Sequence, residues 1–449
     1  MIIAGLTKSV CPVCLRRIDA RKVLGNDNNI YMEKECSEHG RFRTLIWEGN
    51  LKSYRAWNTE NTRRETPVDG KAVSDQGCPY DCGFCSAHLR KGCCVLLELT
   101  NRCNLRCPVC FASAGENEPS DLSMEEIGKQ YDYLMSHGGP FNIQLSGGEP
   151  TMRDDLPEII RLGREKGFTF FQLNTNGIRL AMEEGYAEIL KEAGLNTVFL
   201  QFDGVTDEVY RTLRGADLLE TKKKAIDICG KAGLGVVLVP VIAPGVNEDQ
   251  TGEILKLAIA NMPAVRGVHF QPVSYFGRCA VKDTQQRITI PKMLRLIEEQ
   301  TDGIMHAEDY SGGGAENPYC SFHASYLKGK DGKLKPLAKT RSSGCCCSTS
   351  SDDSRTFVAE HWSAGSSCCC KDKQEQQEKE LQWESLDDFL EHARRNTFSV
   401  SGMIFQDAWN FDLDRIQRCY ISEMDTERGM IPFCAYNLTS EDGTYLYRR

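Results

Sequence analysis

Between residues 94 and 273, short apolar runs alternate with stretches in which apolar side chains recur every three or four positions. The apolar runs are 94–100 (CVLLELT), 141–146 (FNIQLS), 169–174 (TFFQLN), 197–203 (TVFLQFD), 235–241 (GVVLVPV) and 266–273 (RGVHFQPV). Such runs predict strands, and the periodic stretches between them predict helices over 123–137, 154–166, 180–193, 220–232 and 249–261. Ser123, three residues ahead of Glu126, predicts a capping box at the start of the first helix. A strand–helix repeat of this kind builds a parallel sheet in an α/β fold. Six units make a partial (β/α)6 barrel of TIM type, with ligands expected where strand C-termini meet loops.

Outside that repeat the pattern changes. Residues 1–50 read as a small metal-binding, ribbon-like module, and 51–93 as a connector that carries a second cysteine motif. The barrel is expected over 94–284. After about 284 the rhythm stops, with a flexible break at Ser311–Gly314, a Ser/Cys/Gly-rich stretch over 342–370, a charged run over 371–384 and a capped helix over 385–396. A separate C-terminal α+β domain that also holds cysteines is therefore expected over 285–449.

The formal charge of −9 argues against a phosphate-binding surface, so no nucleic-acid partner is expected. No apolar stretch approaches the roughly 20 residues of a membrane span, and Met1–Val10 lacks a signal-peptide core. The expectation is a cytoplasmic protein with no transmembrane segment. In that setting 22 cysteines at short spacings point to metal centres, not disulfides.

Cys103-x3-Cys107-x2-Cys110 directly follows the first predicted strand, and a short loop of this spacing can give three thiolates to one cluster. Alone, it also fits a ferredoxin fragment or a zinc site. The companion Ser146-Gly147-Gly148-Glu149-Pro150 ends the second strand, where glycines admit close backbone approach and Glu149 can neutralise an ammonium group. Over roughly 94–273 this pair of motifs resembles the radical S-adenosylmethionine superfamily. The resemblance implies that Cys103, Cys107 and Cys110 bind a 4Fe-4S cluster whose open iron takes S-adenosylmethionine. It also implies that Gly147, Gly148 and Glu149, followed by Pro150, hold the methionyl amine, and that a low-potential donor of ferredoxin or flavodoxin type supplies electrons. One departure is Val109, where the superfamily often has an aromatic residue; Phe111 follows instead.

Other strand ends supply weaker candidates: Asn174 and Asn176 toward the cofactor, and Gln201, Asp203 and His269 as catalytic groups in the barrel mouth. The competing reading is that these polar groups cap helices and satisfy loop backbone, with His269 packed in the core. Cys78, Cys82 and Cys85 repeat the cofactor spacing without the strand or the glycine motif; they are expected to hold an auxiliary 4Fe-4S cluster with Cys93 or Cys94, or else a zinc knuckle. Cys11, Cys14, Cys36 and His39 have the spacing of a zinc or mononuclear iron site. Cys320, Cys419 and Cys434, with one or two from each of the triplets Cys345–Cys347 and Cys368–Cys370, are candidates for a second auxiliary cluster; the competing reading of the triplets is a disordered, Ser-rich, thiol-bearing loop that scavenges metal or exchanges disulfides.

Over residues 1–290 the motif order is similar to the branch that includes archaeal tetraether lipid synthases, first discussed as pterin methylases. That resemblance implies hydrogen abstraction from an unactivated carbon and carbon–carbon bond formation on a lipid-like substrate. Radical modification of a heterocycle or peptide is the alternative. A pure electron carrier would have no use for the barrel, and a zinc-ribbon interaction protein would leave the strand–helix repeat unexplained.

Overall fold

The computed structural model describes residues 2–58, 75–83, 85–115, 121–284, 286–313, 316–337, 351–363 and 386–448. The triplets Cys345–Cys347 and Cys368–Cys370 lie outside the described residues. The chain opens with a four-stranded antiparallel ribbon in the order β1 (Ile2–Val10), β2 (Arg17–Leu24), β3 (Ile30–Cys36), β4 (Gly40–Trp47). Helix α1 (Leu51–Trp57), capped by Asn50, docks on it through Trp47 and Tyr54, whose rings meet edge to face at 5.7 Å.

Six parallel strands follow in the order of the chain: β5 (Cys94–Glu98), then, past the two-residue β6 (Val109–Cys110), β7 (Asn142–Ser146), β8 (Phe171–Thr175), β9 (Thr197–Gln201), β10 (Gly235–Val239) and, past β11 (Val241–Ile242), β12 (Val265–Pro272). The connecting helices are α2 (Met124–Ser136), α3 (Leu156–Glu165), α4 (Ile178–Met182), α5 (Tyr186–Ala193), α6 (Asp207–Arg214), α7 (Leu219–Lys231) and α8 (Thr251–Ala260). This is the expected partial barrel. Alternate strand residues such as Ile143, Leu173, Val198, Leu238 and Phe270 pack in the main core under the helices, while Phe199, Val237 and Val239 form a separate cluster on the opposite, inner face. The capping box is present, with Glu126 N donating to Ser123 Oγ at 3.2 Å and Ser123 N to Glu126 at 2.7 Å. The helix expected over 180–193 is split, because Gly185 takes a left-handed φ of 76° between α4 and α5.

The expected boundary at 284/285 does not divide the molecule. After β13 (Arg278–Cys279) and α9 (Ile290–Gln300), residues of the C-terminal third extend the same sheet on both edges. On one side, β14 (Ser321–Lys328) carries β15 (Leu334–Pro336) and pairs with β16 (Thr397–Met403), which runs parallel to β12. On the other, β17 (Ile421–Asp425) runs parallel to β5 and carries β18 (Gly429–Pro432). Helix α10 (Ser351–Trp362) lies against β10 and β12, and α11 (Leu386–Asn396) leads into β16. Asn142, at the start of β7, donates to Arg355 O at 3.0 Å, and Arg355 donates to Pro140 O at 2.5 Å. Trp362 meets Phe199 at 5.1 Å, so α10 covers the inner face from the N-terminal side of the strands.

Candidate active site and metal centres

The loop after β5 and the turn after β7 are one backbone unit. Leu99 N donates to Ser146 O (3.0 Å), Gly148 N to Thr100 O (2.7 Å) and Glu149 N to Arg102 O (2.9 Å). A Cβ on Gly147, whose φ is +128°, would lie 2.3 Å from Thr100 O, and one on Gly148 would lie 2.3 Å from Arg102 O. The glycines thus admit the cysteine loop's own backbone, a role the sequence pattern had assigned to a ligand. Glu149 is 1% exposed. Its carboxylate accepts from Thr151 N (3.1 Å), Thr151 Oγ1 (2.7 Å), Thr175 Oγ1 (2.7 Å) and Asn176 N (2.8 Å), locking the ends of β7 and β8 together.

Asn176 donates from Nδ2 to Asn104 Oδ1 at 2.7 Å and receives Ile178 N at 3.0 Å, so its side chain holds the cysteine loop and the start of α4. Asn174 belongs to a chain on the inner face. Gln172 Nε2 donates to Asn174 Oδ1 (2.8 Å), Asn174 Nδ2 to Gln144 Oε1 (3.3 Å), and Gln144 Nε2 contacts Cys94 Sγ (3.3 Å). Asp203 is fully buried and forms a two-pronged ion pair with Arg214, both contacts 2.7 Å. Arg214 also donates to Val109 O at 3.0 Å, inside the cysteine loop. Gln201 contacts Asp203 and accepts from Lys222 Nζ at 2.9 Å, and Lys222 donates to Asn176 O at 2.5 Å. Burial brings Lys222 down to about 7. Gln201 and Asp203 are thus brought together beside the cysteines, while His269 has other neighbours: Ser401 Oγ at 2.9 Å from Nδ1, Phe199 at 5.4 Å and Trp362 at 6.1 Å. Burial lowers His269 to about 4, which keeps the ring neutral near pH 7.

Arg214 and Lys222 were missed in the sequence. Lys222 sits in a Lys222-Lys223-Lys224 run that resembles a solvated face, although its spacing to Ala225, Ile226 and Cys229 places it on the buried side of α7.

Burial pushes the Cys103 thiol up to about 12 and raises Cys107, with Arg214 and Lys222 acting in the opposite sense on Cys107. Partly buried Cys103 and Cys107 thiols that resist ionisation, beside the buried basic groups Arg214 and Lys222, fit a site completed by a cationic iron core. The loop is held from outside the barrel too. Arg278 Nε donates to Cys107 O (2.6 Å), and β13 pairs with β6. Tyr445 Oη donates to Phe111 O (3.0 Å), and Arg448 makes two 2.7 Å contacts with Glu98.

Cys11, Cys14, Cys36 and His39 place one ligand atom each within 4.8 Å of all the others. Cys14 and Cys36 sulfurs are 4.0 Å apart, and His39 Nδ1 is 3.6 Å from Cys11 and 3.5 Å from Cys36. The edge of a tetrahedron with Zn–S bonds of about 2.3 Å is about 3.8 Å, so this quartet fits one ion. Cys78 and Cys82 interact through their sulfurs, with Cys85 among the charges felt by Cys82. Tyr447 Oη receives Cys82 N (2.9 Å) and donates to Pro79 O (2.6 Å). Cys94 has Cys93, Cys419 and Glu423 as electrostatic neighbours, and Cys434 has Cys419 and Cys320. Cys93 N donates to Tyr420 O at 2.7 Å, which places Cys93 and Cys94 beside Cys419.

Comparison with known proteins adds two families and a close relative. Residues 97–258 match the Radical SAM superfamily, and residues 3–48 match the HMPTM N-terminal zinc ribbon domain. A 7,8-dihydro-6-hydroxymethylpterin dimethyltransferase of Methanocaldococcus jannaschii is 35% identical over 96% of this chain and 93% of its own length. A probable GTP 3′,8-cyclase of Methanothermobacter thermautotrophicus is 36% identical over 36% of this chain and 52% of its own. Among solved structures, Streptococcus suis SuiB with its precursor peptide SuiA aligns with a TM-score of 0.41 at 17% identity, over 48% of this chain and 47% of that one.

Proposed function

This chain belongs to the radical SAM superfamily, and from that premise we propose that it forms a carbon–carbon bond at an unactivated carbon of a lipid-like substrate. When bound, a 4Fe-4S cluster and S-adenosylmethionine, the cofactors of the superfamily, would supply radical hydrogen abstraction at such a carbon. Cys103, Cys107 and Cys110 would hold the cluster. The Gly147–Pro150 turn, with Asn174 and Asn176, forms the cofactor side of the mouth. Glu149 and Asn176 act there mainly by fixing the loops, since their side chains are already bonded. Asp203 positions Arg214 against the cysteine loop, and Gln201 positions Lys222. His269, neutral and shielded by Trp362, lines the inner face of the sheet. Enzymes of this superfamily need a reductant, and a ferredoxin- or flavodoxin-type protein is the proposed partner. Among the described residues no helix is long and apolar enough to cross a membrane.

The approach of Cys93, Cys94, Cys419 and Cys434, at the β5 edge of the sheet, to Cys320, at the head of β14 on the other edge, supports this reading. Joining two saturated carbons needs two hydrogen abstractions, and an enzyme that performs both benefits from iron–sulfur centres beyond the one that binds the cofactor. We assign these thiols to one auxiliary cluster and Cys78, Cys82 and Cys85 to another. A second reading, radical methylation of a heterocycle, is favoured by the hydrogen-bonding groups Gln144, Gln172 and Asn174 on the inner face and by the name of the Methanocaldococcus relative.

The test is anaerobic reconstitution followed by reductant, S-adenosylmethionine and either an isoprenoid glycerol ether or 7,8-dihydro-6-hydroxymethylpterin. The lipid reading expects a coupled product lacking two hydrogens, with two 5′-deoxyadenosines released per bond. Product formed only from the pterin would replace it with the second reading. No 5′-deoxyadenosine from fully reconstituted protein would defeat both.

A further inference from the structure

The knuckle of the N-terminal ribbon and the Cys78–Cys85 loop are fastened together by side chains that are ligands in neither. Tyr80 Oη donates to Leu15 O at 2.9 Å. Arg17 Nη1 donates to Cys78 O at 3.0 Å and to Gln76 O at 3.1 Å, and its guanidinium lies 6.0 Å from the centre of the Tyr80 ring. Leu15 and Cys78 also share one apolar cluster.

The Leu15 carbonyl is in place only because the knuckle is closed. Leu15 has a φ of +55°, a left-handed conformation that a leucine keeps only when its surroundings impose it. The imposing contacts are Leu15 N to Cys11 O and Cys11 N to Arg16 O, both 2.9 Å, in the turn that carries Cys11 and Cys14. Bound metal supplies the folding energy of such a turn. Without it, four ligand groups drawn within 4.8 Å lose their common partner, and the two backbone bonds of the turn are left to hold Leu15 in the left-handed region against its intrinsic preference.

We propose that the ribbon metal sets the shape of the Cys78–Cys82–Cys85 loop through Tyr80 and Arg17, so that an iron–sulfur cluster assembles there only while the ribbon is metallated. Tyr80 and Arg17 are positioning residues. The proposal rests on the reading of Cys78, Cys82 and Cys85 as cluster ligands. Of the loop's anchors described above, that to Tyr447 does not pass through the ribbon, and those to Leu15 and Arg17 do.

The experiment compares the full chain with Cys82→Ala, Cys36→Ala, the double variant Arg17→Ala/Tyr80→Phe and the conservative Arg17→Lys. Each is reconstituted anaerobically and read for zinc and iron per chain and for the electron paramagnetic resonance of the reduced clusters. Cys82→Ala is expected to lose about four irons and one reduced-cluster signal. The double variant should lose the same iron and the same signal while keeping its ribbon metal and S-adenosylmethionine cleavage. Cys36→Ala should lose ribbon metal and those irons together, and Arg17→Lys should recover part of the signal. If the double variant keeps full iron and an unchanged spectrum while Cys82→Ala does not, the coupling is wrong and the cluster assignment stands. If Cys82→Ala itself keeps full iron, the cluster assignment fails and the coupling with it.

Discussion

Breaking the Asp203–Arg214 pair tests whether the barrel mouth is as dry as its geometry implies. Asp203 has no exposed side-chain surface, Arg214 only 9%, and two 2.7 Å contacts join them. Removing one partner of such a pair strands the other charge in a low-dielectric site and destabilises by about 3–5 kcal/mol, whereas replacing both by apolar groups is often neutral. Asp203→Ala is therefore expected to lose about 3–5 kcal/mol, and Asp203→Leu/Arg214→Met far less than the sum of its single variants. Val241 N, 3.0 Å from Asp203 Oδ1, loses an acceptor in either case and sets a floor under the double variant. Because Arg214 also holds Val109 O, iron bound at Cys103–Cys110 should fall in the singles under conditions where the protein is still folded. Urea midpoints followed by tryptophan fluorescence give the energies, and iron analysis gives the loading. A loss below about 1 kcal/mol for Asp203→Ala, or strict additivity, would mean that water screens the pair.

Further outcomes follow from the same contacts. Cys107→Ala should abolish S-adenosylmethionine cleavage while Cys82→Ala leaves uncoupled cleavage, measured as 5′-deoxyadenosine; equal loss would remove the distinction between the two cysteine motifs. Gly148→Ala places a Cβ 2.3 Å from Arg102 O and should lower cluster loading at Cys103–Cys110 without affecting zinc in the ribbon, read by metal analysis. His269, about 4 when folded and near 6.5 when unfolded, binds its proton more readily in the unfolded chain. Its contribution is thus complete above about pH 6.5 and lost as pH falls toward 4, so His269→Asn should flatten the acid side of the stability profile in that window. Lys222, about 7 when folded, has the same sign over a different range: stability should rise from pH 7 toward 10.5, and Lys222→Met should remove that slope in urea titrations.

The six barrel strands and the cysteine–glycine motif pair were legible because each leaves a local trace, an apolar run or a fixed spacing. The strands β16 and β17 left none. FSVSGM places serines on its inner face, and ISEMD is too short and polar to announce a strand; both become strands by pairing with β12 and β5, far away in the chain. His269 and Ser401, bonded across that seam, are 132 positions apart. At the site, Asp203 and Gln201 could be picked out by their place at a strand end. What they do was not readable, since it depends on Arg214 and Lys222, helical residues whose burial is decided by how α6 and α7 settle on the sheet. Glu149 was found for the right reason of position, but its four hydrogen bonds became visible only with the folded backbone.

The bracing of the cysteine loops by Tyr445, Tyr447 and Arg448 has a consequence for biosynthesis. Their partners Ser113, Cys82 and Glu98 precede them by 332, 365 and 350 positions. At about 5–20 residues per second, a ribosome needs on the order of 20 to 70 s to add that much chain. Throughout that interval the nascent loops hold exposed thiols without the contacts that will fix their geometry, open to oxidation or to the wrong metal. Faithful iron–sulfur insertion therefore belongs after translation has passed residue 448, and a cell producing this protein must keep oxygen and stray zinc from those loops until then.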